Sequence, residues 1–238
     1  MDTIFGFDLV GFDLDGTLVD SAGDLAGAVN HALSVVGRGP LALEQVKPMI
    51  GGGSRLMLQR ALAATGGEEH ISQLMPVMLD FYRNNIAVKT RAYPGVVDAL
   101  EILRVCGVTL AIVTNKLEHL SFALLRELGL LQYFTTIIGG DTLSGKSKPD
   151  PAPIREMVRR CDARHAVFVG DSRYDVEAAH AAGLPIALYS RANALGADIA
   201  FSDYANLIPT LASLSQSSRD TGVQALVADG SPAPRRQP

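Results

Sequence analysis

The chain has 238 residues and a mass of 25.2 kDa, enough for one to two domains whose core needs no disulfide or metal staple. Hydrophobic residues make up 47% and charged residues 19%, which excludes a disordered chain of low hydrophobicity. A net charge of −4 leaves no basic excess to follow a nucleic-acid backbone or an anionic membrane, so neither partner is expected. Cys106 and Cys161 show no C-x-x-C spacing, so reduced thiols are expected rather than a zinc framework. The first residues lack a basic region, and Asp8, Asp13 and Asp15 break their apolar stretch, so no signal peptide is expected. No apolar run approaches the ~18 residues of a membrane span. The expected location is the cytoplasm.

In chain order, Leu9–Leu14 is the first short apolar run and reads as a strand buried on both faces. From Leu18 to Tyr93 no strand is evident. Ser21 with Asp24 three residues on resembles a capping box, and Leu25, Val29, Leu33 and Val36 mark one face of a helix ended by Gly37. A second helix starts at Ser54 and carries Leu56, Leu58, Ala61 and Leu62. A third runs through Leu79, Tyr82 and Ile86, with Pro76 limiting its backward extent. Tyr93-Pro94-Gly95 then returns the chain to alternating elements. Strands are expected at Thr109–Val113, Thr135–Ile138, Ala166–Val169 and Pro185–Leu188. Helices are expected at Gly95–Val105, Glu118–Leu128, Ala152–Cys161 and Val176–Ala182, several closed by a glycine. This alternation predicts an α/β domain with a doubly wound parallel sheet and an inserted helical cap. The expected division is a core of residues 1–17 and 94–212, a cap of 18–93, and a flexible tail of 213–238 poor in periodicity.

Ligands of open parallel sheets bind at the carboxyl ends of the strands. After the first strand come Asp13, Asp15, Gly16 and Thr17; after the second, Thr114, Asn115 and Lys116; beyond the third, Lys148-Pro149; after the fourth, Gly170, Asp171, Ser172 and Asp175. Carboxylates, hydroxyl and amide donors and one ammonium at four strand ends fit phosphoryl transfer at a magnesium site. Asp13 and Asp15 are read as leaving on different sides of the chain, one to attack phosphorus and the other to move a proton. Two or three carboxylates around a point suit Mg²⁺, and Lys148 would offset the charge of an incoming phosphate.

Phe12-Asp13-Leu14-Asp15-Gly16-Thr17-Leu18, Val113-Thr114-Asn115-Lys116, Lys148-Pro149 and Phe168-Val169-Gly170-Asp171-Ser172 resemble the haloacid dehalogenase-like superfamily, and within it the phosphoglycolate phosphatase branch. The resemblance covers roughly residues 5–190. It implies a Rossmann-like core with Asp13 as nucleophile, Asp15 as acid/base with its backbone carbonyl on Mg²⁺, and Asp171 as metal ligand. It further implies phosphate binding by Thr114, Asn115 and Lys148, with Asp175 supporting metal or lysine. The expected activity is hydrolysis of a small phosphorylated metabolite, 2-phosphoglycolate, through an aspartyl-phosphate. A second acid at Asp15 disfavours dehalogenation. After the fifth strand the chain reads Ser190-Arg191-Ala192-Asn193 where the branch tends to a Gly-Tyr-Asn-like segment.

Other readings are weighed beside it, the first being another small-metabolite phosphatase of the same superfamily. A sugar phosphomutase can use the same Asp pair. Gly140–Ser147 matches the spacing of a P-loop, but Pro149, Pro151 and Pro153 follow at once, which points to an exposed loop delivering Lys148 rather than a nucleotide site. In the cap, Gly51-Gly52-Gly53-Ser54-Arg55 precedes a helix; the glycine N–H groups, Gly52 and Gly53 among them, and Arg55 are candidates to hold a substrate carboxylate.

Overall fold

The structure is a computed structural model that describes residues 6–67, 70–190 and 192–216. Strands β1 (Leu9–Phe12), β4 (Thr109–Val113), β5 (Thr136–Ile138), β6 (Ala166–Gly170), β7 (Ile186–Tyr189) and β8 (Ile199–Phe201) form one sheet in the order β5-β4-β1-β6-β7-β8. All its pairings are parallel. Successive residues of a strand face opposite sides of the sheet. Val10, Phe12, Leu110, Ile112, Val167 and Val169 accordingly pack with α5 (Val96–Val105), with Leu124 and Leu125 of α6 (Glu118–Glu127), and with a helix over 207–216. Leu9, Ala111, Val113 and Phe168 pack on the other side with α7 (Ala152–Arg160) and α8 (Arg173–Ala182). Gly11 faces this second side because a Cβ there would lie 2.3 Å from the Met157 sulfur.

Between β1 and α5 the chain builds α1 (Ala22–Val35), the single turn α2 (Leu43–Val46), α3 (Ser54–Thr65) and α4 (Ile71–Asn84). Leu25, Val29, Leu33, Leu58, Leu62, Leu74 and Met78 give these helices their own core. Two short strands absent from the sequence reading, β2 (Val19–Asp20) and β3 (Arg91–Ala92), pair antiparallel where the chain leaves and rejoins the sheet. Asp24 does not close a capping box. Its buried carboxylate accepts the N–H groups of Lys89 and Thr90 and the Thr90 hydroxyl, tying the start of α1 to the return crossing.

Other boundaries also moved. Pro76 lies inside α4 rather than at its limit; it and Ser72, whose carbonyl loses the hydrogen bond, are both exposed, so water can serve that carbonyl. Helix α8 opens one turn early at Arg173, because the Asp175 carboxylate accepts the Ser172 N–H and hydroxyl ahead of it. Of the expected tail, residues 213–216 are helical with Leu214 buried, and 217–238 lie outside the described residues. Lys146 and Ser147 open no helix: they lie in irregular chain between two turns, and α7 starts only at Ala152, so the fold offers no P-loop there. Among the described residues no helix is long and apolar enough to cross a membrane.

Candidate active site

Strand β1 lies at the centre of the sheet, so the loops at its carboxyl end meet those of β4 and β6. Asp13 extends its ladder by one rung, donating its N–H to the Val169 carbonyl at 2.9 Å, and its side chain is 4% exposed. Lys148 arrives from the loop after β5. Its ammonium lies 2.8 Å from Asp13 Oδ1 and donates to Asp175 Oδ1 at 2.5 Å and the Val113 carbonyl at 2.7 Å. The Asp13 contact is an ion pair without hydrogen-bond alignment, which leaves Asp13 Oδ1 buried with no donor. Burial raises the Asp13 carboxyl from its usual 3.8 to about 6; Lys148 opposes the rise, and Asp175 and Asp15 add to it. Burial and the neighbouring Asp175 and Asp13 likewise push Asp171 well up. Burial alone would lower Lys148, but Asp13 and Asp175 outweigh it and hold the lysine charged.

Oxygens of Asp13, Asp171 and Asp175 lie within 4.8 Å of one another. An all-oxygen donor set suits a hard divalent cation, and its members are not equally free to ligate. Asp13 Oδ1 has no donor. Asp171 accepts the Thr17 hydroxyl on Oδ1, and its Oδ2 takes no hydrogen bond from any described residue. Asp175 Oδ2, by contrast, already accepts Asp171 N–H, Ser172 N–H and the Ser172 hydroxyl. The residues therefore fit a cation held by Asp13 and Asp171, with Asp175 behind them fixing Lys148 and the β6 loop. Of the two roles the resemblance implies for Asp175, these contacts favour support of the lysine. Gly16, at φ +91°, makes room for Asp171: a Cβ there would lie 2.3 Å from Asp171 Oδ2. Gly16→Ala is expected to destabilise the protein by roughly 2–4 kcal/mol and to shrink the rise in Tm produced by added Mg²⁺. An unchanged Tm with and without the metal would show that Asp171 is not confined.

Asp15 takes a different set of partners. Residues two apart on one strand share a face, but β1 ends at Phe12, and Asp15 has turned into the loop, where it bridges to Val19. Its carboxylate accepts the Lys116 ammonium at 2.9 and 3.1 Å and the Ser21 hydroxyl at 2.6 Å. Lys116 in turn lies 4.4 Å from the centre of the Tyr82 ring of α4. An open groove of about 350 Å³ with Gly16, Asp171 and Ser172 reaches Asp15 from outside. On the inner side a cavity of about 40 Å³ runs from Asp13, Asp15 and Thr114 under Met57, Met78 and Tyr82 of the helical insert.

The haloacid dehalogenase-like hydrolase family model matches residues 10–189. The chain belongs to that family. It is 45% identical over 183 residues to phosphoglycolate phosphatase 1 of Pseudomonas aeruginosa, covering 74% of this chain and 66%, just under two thirds, of that relative. It is 39% identical over 235 residues to the phosphoglycolate phosphatase of Pseudomonas fluorescens, covering 95% of this chain and 85% of that one. Among solved structures it resembles a predicted phosphoglycolate phosphatase from Haemophilus somnus. The TM-score is 0.79 at 32% identity, over 85% of this chain and 97% of the other.

In this haloacid dehalogenase-like hydrolase the four strand ends bring Asp13, Asp15, Thr114, Asn115, Lys148, Asp171 and Asp175 to one place, while the cap residues fall differently. Asn115, expected to hold phosphate, donates its side-chain amide to the carbonyls of Gly51 and Lys148, each at 2.9 Å. It fastens the cap loop and the Lys148 loop to β4. Gly53, at φ +87°, presses against the Asn115 carbonyl, 3.2 Å from where its Cβ would be. Arg55 is exposed, and neither it nor Gly52 lines the inner cavity, so the glycine loop does not present Arg55 to a ligand there. The cation that does line it is Lys116. Its signal in the sequence was its place directly after Thr114-Asn115 at a strand end. Ser21 and Tyr82 carried none.

Proposed function

We propose that the protein is a Mg²⁺-dependent phosphomonoester phosphatase that hydrolyses 2-phosphoglycolate to glycolate and phosphate. The observation that carries this reading is Asp13: a buried carboxylate at the centre of the sheet, with the Lys148 ammonium and the Asp171 carboxylate beside it and a cavity beyond. Asp13 attacks phosphorus; the ester P–O bond breaks, and the departing alkoxide takes a proton from Asp15. Asp15, now a carboxylate, takes a proton from water. The water oxygen attacks phosphorus, the Asp13–phosphorus bond breaks, and phosphate leaves with Asp13 restored. Lys148 and the Thr114 hydroxyl, whose oxygen accepts only the Lys116 N–H, supply positive charge and a donor to the phosphate oxygens. Asp13, Asp171 and the backbone carbonyl of Asp15 would hold Mg²⁺, which would supply charge neutralisation for the approaching phosphate. Asp175 and Asn115 position Lys148. A sugar phosphomutase would use the same acids but would release little free phosphate, which the measurement of free phosphate distinguishes.

Free phosphate measured from 2-phosphoglycolate, ethyl phosphate and glucose 6-phosphate, with Mg²⁺ or EDTA, tests the reading. The expected result is metal-dependent release, fastest from 2-phosphoglycolate; release undiminished by EDTA would sink the metal's role. The pH dependence has a definite sign. Carboxyls raised by burial are destabilising once charged, so the metal-free protein gains stability as pH falls through about 6. Mg²⁺ needs those charges, so the Tm rise it produces is expected to be larger at pH 8 than at pH 5. Equal rises at both pH values would place the cation elsewhere.

A further inference from the structure

The inner cavity is walled by Leu25, Met57, Met78, Leu79 and Leu120, an apolar lining for most of its surface. Against that wall stand two polar groups that bond making and breaking at Asp13 do not use. The Lys116 ammonium, on a side chain 5% exposed, is the only cation lining the cavity among the described residues. The Tyr82 hydroxyl is buried, lines the same space and has no hydrogen-bond partner among the described residues. Buried hydroxyls are nearly always paired, because an unpaired one has lost its water without a replacement partner. An unpaired hydroxyl beside a buried ammonium is the complement of an anion that is not yet there. The volume limits that anion to a few atoms, and the phosphate has its own place at Asp13 and Lys148.

We propose that Lys116 and the Tyr82 hydroxyl read a carboxylate at the far end of the substrate, so that the enzyme selects phosphomonoesters whose alcohol carries a carboxylate one carbon from the ester oxygen. The inference rests on the phosphatase reading and names the residues that give it a substrate class. The ammonium is already divided between the two oxygens of Asp15. An arriving carboxylate draws on the same charge and loosens its hold on Asp15. A neutral alcohol does not, and it leaves the hydroxyl of Tyr82 still unpaired. Arg55, exposed and outside the cavity lining, has no part in this.

The test compares kcat/KM on 2-phosphoglycolate with kcat/KM on ethyl phosphate, which lacks the carboxylate. Lys116→Met is expected to lower the ratio of the two at least about tenfold, the loss falling mainly on 2-phosphoglycolate. Tyr82→Phe is expected to lower the same ratio about fivefold without lowering Tm, since no described residue lies within hydrogen-bond geometry of its hydroxyl. Equal losses on both esters in Lys116→Met would overturn the proposal and leave Lys116 as a positioning residue for Asp15. A wild-type enzyme that releases phosphate from both esters without preference would also overturn it, while leaving the phosphatase reading intact. No release from any ester would sink that reading instead. Calorimetry of 2-phosphoglycolate on Asp13→Asn, with and without Lys116→Met, then decides the part of Lys116 alone: affinity lost with the lysine supports it, and affinity retained overturns it.

Discussion

Replacing Lys148 with methionine is expected to lower Tm by about 6–20 °C and to abolish turnover. Its ammonium is the shared counter-ion of Asp13 and Asp175, both essentially buried. Removing one partner of a buried ion pair strands the other, at roughly 3–5 kcal/mol, and in a domain of this size each kcal/mol shifts Tm by about 2–4 °C. The stranded carboxylates resist ionisation more strongly than in the parent, where Asp13 already stands at about 6. The variant is therefore expected to recover stability as pH falls from 8 towards 5, more steeply than the parent, and to recover part of it at pH 8 on addition of Mg²⁺. Thermal unfolding over that pH range, in EDTA and in Mg²⁺, checks both. A variant as stable as the parent throughout would mean that Lys148 is not the charge that lets three carboxylates share the end of the sheet.

Asp13→Asn is expected to lower kcat by at least about 10⁴-fold while leaving the protein folded. The amide keeps the shape of the carboxyl and removes a charge that burial already disfavours. Lys148 keeps Asp175 and the Val113 carbonyl. In EDTA the Tm of the variant is expected to equal or exceed that of the parent at pH 8. In Mg²⁺ its gain is expected to be smaller, because one ligand has gone. Phosphate release together with the two Tm values separates chemistry from folding. Turnover within tenfold of the parent would remove Asp13 from the attack on phosphorus.

How much of this was legible in the sequence depended on how far apart the interacting residues lie. The sheet was readable because β1, β4 and β6 are unbroken apolar runs, as strands buried on both faces must be. Asp13 and Asp171 were readable because each directly follows such a run, with Asp15 and Asp175 a few residues on. By contrast β2, β3 and β8, two to three residues long, show no period for a pattern to reveal. Ser21 and Asp24 have the spacing of a local cap, but Ser21 turns to Asp15 and Asp24 reaches across 65 residues to Lys89. The cap loop offered Arg55 as the obvious cation, because a side chain's charge is visible in a sequence and its direction is not. Lys116 was in view after Thr114-Asn115, but its pairing with Asp15 and its place against Tyr82 emerge only from the fold.

The pairing of β2 with β3 places both crossings of the helical insert side by side, and Asp24 stitches the two together just beyond them. A segment that departs and returns through a single doorway can be lengthened, shortened or exchanged as a cassette without disturbing the order of the six strands. The acids and Lys116 stay with the sheet while Tyr82 travels with the insert, so exchanging the insert would change one wall of the cavity and leave the strand-end groups in place.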